Sequence, residues 1–182
     1  FLIDTSGSMD EPNKLPLLKQ SLRLMLAELR PDDEVAMVAY AGSAGEVLPP
    51  TKASDSARIL AALDDLSAGG STAGAEGLAR AYQVVKTMGD KDQVSRVLLA
   101  TDGDFNVGVS SDTDLKTIIE KKRESGIFLS VLGFGLGNLN DRVIDTFIAD
   151  VPVVNNDSNG ERGRVLVTNV GEPLVGDRTD GR

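Results

Sequence analysis

Short apolar segments that read as strands alternate with helical stripes along residues 1–150, and that alternation limits the chain to one class of fold. Phe1–Asp4 (FLID) reads as the end of a buried strand. Leu15, Leu18, Leu22, Met25 and Leu29 follow at spacings of three and four, the stripe of an amphipathic helix. Pro12 and Pro16 stand near its start, where a missing N–H costs little, and Pro31 marks its end. Val35–Tyr40 reads as a strand sandwiched between layers. Gly42–Gly45 then turns the chain, and Glu46–Leu48 pairs back as a short edge strand before Pro49 and Pro50. Ile59, Leu60, Leu63 and Leu66 give a second stripe, closed by Gly69 and Gly70. A third helix carries Leu78, Ala81, Tyr82 and Val85. The strand Arg96–Thr101, a helix with Leu115, Ile118 and Ile119 stopped at Gly126, the strand Ile127–Phe134 and a short helix over Leu139–Ala149 follow. The class is α/β: a doubly wound, mostly parallel sheet with helices on both faces and one short antiparallel edge strand.

After Asp150 the texture changes. VPVV, a polar stretch NNDSNGERGR and VLVTNV read as two strands joined by a turn, and the last residues as a loose end. The expected division is therefore a domain over 1–150 and an atypical tail over 151–182. The chain opens in mid-strand without an initiator Met, as a fragment of a longer protein would.

Cys and His are both missing, and their absence excludes several chemistries. With no Cys there is no disulfide, thiol nucleophile or zinc–thiolate cluster, and with no His there is no Ser-His-Asp triad. Any bound metal must be held by oxygen. The formal charge of −9, from 28 acids against 19 bases, argues against nucleic acid as a partner. No apolar run is long enough to insert in a membrane.

Oxygen donors gather at three places. Asp4, Ser6 and Ser8 put a carboxylate and two hydroxyls on one short loop, a set that suits hard cations such as magnesium. The same residues could serve only as an Asx-turn and a helix cap. In open α/β sheets, however, ligands bind beyond the carboxyl ends of strands, where strand order reverses. Asp4 ends the first strand, and Asp102 ends another just before a glycine. Thr72 lies in the glycine-rich turn Gly69–Gly74 that leads into a helix.

Other scans fail. Gly103–Ser110 has the spacing of a phosphate-binding P-loop, with Val109 where the lysine is required. Gly133–Gly137 (GFGLG) lacks the last glycine of the dinucleotide fingerprint and reads as a loop near the same end of the sheet. Asn155–Gly160 begins like a calcium loop but has Asn at its first position and Leu166 in place of the bidentate Glu.

The sequence Asp4-Thr5-Ser6-Gly7-Ser8-Met9 resembles the DxSxS signature of the von Willebrand factor A family. Gly69–Gly74 (GGSTAG) is similar to that family's threonine loop, and Thr101-Asp102-Gly103-Asp104 to its second aspartate loop. The resemblance spans residues 1–150 and is nearest to bacterial members that carry other extracytoplasmic segments. It implies the Rossmann-like fold of that family and a metal-ion-dependent adhesion site with all five positions filled: Asp4, Ser6, Ser8, Thr72 and Asp102. By the resemblance, the hydroxyls of Ser6, Ser8 and Thr72 ligate Mg2+ (Mn2+ also fits), while Asp4 and Asp102 act through water or hydrogen bonds. An open position then takes an Asp or Glu carboxylate from a partner protein.

The expectation is therefore a binding module and not an enzyme, in an extracytoplasmic or membrane-associated setting. Two rivals remain. One is a metal-assisted hydrolase or phosphotransferase, for which Asp104 and Asp10 are the available bases. The other is a scaffold whose site is empty.

Overall fold

The computed structural model describes residues 1–41, 44–71, 74–88, 94–103, 121–122, 124–135 and 164–170. In chain order the elements are β1 (Leu2–Asp4), a 3-10 turn (Gly7–Asp10), α1 (Leu15–Ala27), β2 (Glu34–Tyr40), β3 (Ala44–Lys52), α2 (Ser56–Asp64), α3 (Gly74–Val85), β4 (Ser95–Thr101), β5 (Ile127–Gly135) and β6 (Arg164–Val170). The strands form one sheet in the order β3-β2-β1-β4-β5-β6. β1 pairs in parallel with both β2 and β4, and β4 with β5. β3 and β6 run antiparallel at the two edges. The expected α/β class with a mostly parallel sheet is what forms, with an antiparallel strand at each edge instead of one.

Alternation along the strands sends side chains into two cores, one on each face. Ile3, Met37 and Ala100 join Met9, Leu15, Leu18, Leu22, Ile59 and Leu63, the inward faces of α1 and α2. Leu2, Val38, Tyr40 and Leu99 join Leu78, Ala81 and Tyr82 of α3 on the opposite face. Burial on both faces is why these strands read as continuous apolar runs and not as alternating ones. On α3, Gly77 lets the helix lie directly on β2: a Cβ at that position would come within 2.9 Å of the Tyr40 Cβ.

Three element boundaries differ from expectation. β3 runs from Ala44 through Pro49 and Pro50 to Lys52, because an edge strand needs ladder hydrogen bonds on one side only; its register with β2 shifts twice along the way. α2 stops at Asp64, five residues short of Gly69, and Leu66 is still buried from the irregular segment that follows. α1 ends at Ala27, leaving Leu29 beyond it. The strand expected over VLVTNV appears as β6, paired with β5. Its expected hairpin partner at 151–154, most of the helix around 115–119 and the helix over 139–149 lie outside the described residues.

Candidate metal centre

β1 lies between β2 and β4, so chain order reverses across it, and the carboxyl ends of β1 and β4 share one crevice. Ile3 stands opposite Ala100 in the parallel ladder, which brings Asp4 beside Thr101 and the loop beginning at Asp102. The neighbourhood expected for Asp4 and Asp102 follows from this register.

Asp4 is fully buried and both its oxygens are engaged. The Ser6 N–H donates to Oδ1 at 2.9 Å, while the Thr101 and Tyr40 hydroxyls donate to Oδ2 at 3.0 and 3.2 Å. Burial raises the Asp4 pKa; the hydrogen bonds from Ser6 and Thr101 oppose that rise, and the Asp102 charge adds to it. Burial and the neighbouring Asp4 charge push the Tyr40 phenol well above its ordinary value, so it remains a donor. Asp4 thus works as an internal acceptor that ties three strands and the first loop together.

Beyond Asp4 the chain makes a short 3-10 turn. Ser6 is buried, Ser8 is exposed, and Met9 plugs into the core beneath them. The two seryl hydroxyls are hydrogen-bonded to each other, their oxygens 3.0 Å apart. Neighbouring positions of an octahedral magnesium shell with bonds of about 2.0–2.1 Å are separated by about 2.9–3.0 Å, so the pair has the spacing of two adjacent ligands. Among the described residues, no group of three or more carboxylates could hold a metal, so a centre here rests on hydroxyls. The donor set fits a small, hard cation.

Thr72 lies outside the described residues, but the segment leading to it is tied to the first loop. The Gly69 N–H donates to the Thr5 carbonyl at 2.8 Å, and the Gly7 N–H donates to the Gly70 carbonyl at 3.1 Å. Asp102 is buried at the end of β4, and its Oδ2 accepts a hydrogen bond at 3.1 Å from the Lys14 ammonium. The structure therefore brings together Asp4, Ser6, Ser8 and Asp102. Of the two candidate bases, Asp10 sits exposed on the 3-10 turn and Asp104 lies outside the described residues.

Sequence reasoning missed Lys14, Tyr40 and Thr101. Lys14 carried a signal, because a cation at the cap of α1 opposes the helix dipole and calls for a compensating partner. Tyr40 and Thr101 were polar residues at the carboxyl ends of apolar strands, where a parallel sheet collects its site residues.

Comparisons with known proteins bear on the family and the fold. The sequence profile of the von Willebrand factor type A domain matches residues 1–104. A protein of Escherichia coli strain K12, "Uncharacterized protein YfbK", is 47% identical over 151 residues, covering 83% of this chain but 26% of its own length. The chain thus spans about a quarter of that relative. The crystal structure of the conserved hypothetical protein BatB from Bacteroides thetaiotaomicron superimposes with a TM-score of 0.61 at 25% identity, covering 92% of this chain and 78% of that one. The manganese-loaded TRAP protein of Plasmodium vivax shares the fold at a TM-score of 0.61 and 19% identity, over 78% of this chain and 59% of its own. With the profile covering more than half of its length, the chain belongs to the von Willebrand factor type A domain family.

Proposed function

We propose that this domain is a divalent-cation-dependent protein-binding module whose centre is formed by Asp4, Ser6, Ser8, Thr72 and Asp102. The observation that carries this reading is the pair of seryl hydroxyls 3.0 Å apart above a buried aspartate whose oxygens already face protein donors. Ser6, Ser8 and Thr72 are the direct ligands in this reading, with Asp4 and Asp102 held back as hydrogen-bonding carboxylates. A bound Mg2+ or Mn2+ would supply a Lewis-acidic position for one further oxygen ligand.

That ligand is an Asp or Glu carboxylate of a partner protein. A chain of net charge −9 repels an acidic partner at long range, so a local positive centre is what makes such a contact favourable. The binding unit is centred on residues 1–150, and Arg164–Val170 adds an edge strand to the same sheet. An extracytoplasmic or membrane-associated setting suits the module; among the described residues no helix is long and apolar enough to cross a membrane.

The test is capture of partner proteins on the immobilised domain in Mg2+ and in EDTA, with Ser6→Ala and Asp102→Ala alongside. Both substitutions, and EDTA, should abolish capture while circular dichroism stays native. Capture that persists in EDTA contradicts the proposal.

A further inference from the structure

Lys14 is a charged residue held where local preference disfavours it. It caps α1, whose N-terminal dipole repels a cation, and its side chain is only 8% exposed. Its aliphatic stem crosses the end of β5 at Gly135, where a Cβ would stand 3.4 Å from the Lys14 Cε and where φ of +127° already favours glycine. The ammonium then donates to the Ser8 carbonyl at 2.8 Å, to Asp102 Oδ2 at 3.1 Å and to Glu11 Oε1 at 3.3 Å. One buried cation thus bridges the serine loop and the second aspartate loop from distant parts of the chain.

We propose that Lys14 is a positioning residue of the metal centre: its ammonium holds Asp102 as a hydrogen-bonded, non-ligating carboxylate and supplies a fixed positive charge that weakens metal uptake. This rests on the reading of Asp4, Ser6, Ser8 and Asp102 as a cation site.

Two consequences follow from the charges. Without a metal, Asp4 and Asp102 are two buried carboxylates in one crevice, and the Lys14 ammonium is in contact with Asp102. With a metal, the same ammonium repels the incoming dication and keeps one Asp102 oxygen occupied. The centre therefore retains more net positive charge for a partner carboxylate than its two aspartates alone would leave. A role confined to packing predicts that losing Lys14 weakens metal binding; the electrostatic role predicts the opposite.

The experiment compares wild type, Lys14→Met and Lys14→Arg by titration calorimetry with Mg2+ and by thermal unfolding in EDTA. Lys14→Met should bind Mg2+ on the order of tenfold more tightly, because a unit charge near the dication is removed from a low-dielectric crevice. The same variant should unfold at lower temperature in EDTA, and Lys14→Arg should restore both properties towards wild type. Unchanged or weaker Mg2+ affinity in a folded Lys14→Met domain, with wild-type binding intact, overturns the assignment alone. If wild type takes up neither Mg2+ nor Mn2+, the cation-site reading falls and this assignment with it. Should Lys14→Met not fold, the unsubstituted domain provides the second test. Its Lys14 ammonium resonance, slowed in exchange by burial, should shift as Mg2+ is added, and a resonance unmoved at saturating Mg2+ overturns the assignment.

Discussion

Replacing Tyr40 with Phe removes a single oxygen from the crevice and tests whether Asp4 organises it. Tyr40 is fully buried, and its hydroxyl donates to Asp4 Oδ2 at 3.2 Å. A hydrogen bond to a charged group contributes about 1.5–3 kcal/mol, and this one is longer than the usual O–H···O contact, which places it at the lower end. Asp4 keeps its contacts with Ser6 and Thr101, so the expected loss is about 1.5–2 kcal/mol at neutral pH in EDTA. For a chain of this size that lowers Tm by roughly 3–8 °C.

The pH dependence sharpens the test. The folded-state pKa of Asp4 is raised, so the folded state binds more protons than the unfolded one above pH 3.8. Its contribution to stability is therefore fullest at low pH and declines as pH rises through the raised value. Removing a donor to the carboxylate raises that pKa further, so the Tyr40→Phe loss should be large at pH 7 and shrink towards pH 4. Urea unfolding at both values measures it. A variant within about 0.5 kcal/mol of wild type at pH 7 would refute the role given to Asp4.

Two further outcomes are expected. Gly77→Ala gains about 1 kcal/mol of helix propensity but drives a Cβ to 2.9 Å from the buried Tyr40, an overpacking cost of about 1–3 kcal/mol, so thermal melts should show net destabilisation and not the stabilisation usual for Gly→Ala in a helix. On α1, Leu22→Ala should cost about 2–5 kcal/mol and Leu24→Ala less than about 0.5 kcal/mol in urea melts, because Leu22 is 1% exposed and Leu24 75%; equal losses would contradict the assigned faces.

The fold was legible because its signals are local and repeated. Leu15, Leu18 and Leu22 mark the face of α1 that is buried, and RVLLAT marks a strand covered on both sides. Asp4 and Asp102 share a crevice only if the strands they end are neighbours where strand order reverses, and the sheet meets that condition. Less was legible where tertiary contacts override local preference. Pro49 and Pro50 do not end β3, because that strand lies at an edge. At the candidate centre, sequence spacing named Asp4, Ser6, Ser8 and Asp102, but not the groups that hold them. Tyr40 reaches Asp4 across 36 positions, and Lys14 reaches Asp102 across 88. Neither separation leaves a periodic trace. The mismatch of Lys14 with its helix terminus was the one local hint.

The most direct measurement is calorimetric titration of Mg2+ and Mn2+ into the wild-type domain and into Ser6→Ala. A one-site isotherm that is lost in Ser6→Ala, with the circular dichroism of the two proteins unchanged, is the predicted result. Wild type that takes up neither ion, or binding that Ser6→Ala leaves intact, would contradict the hydroxyl-based centre.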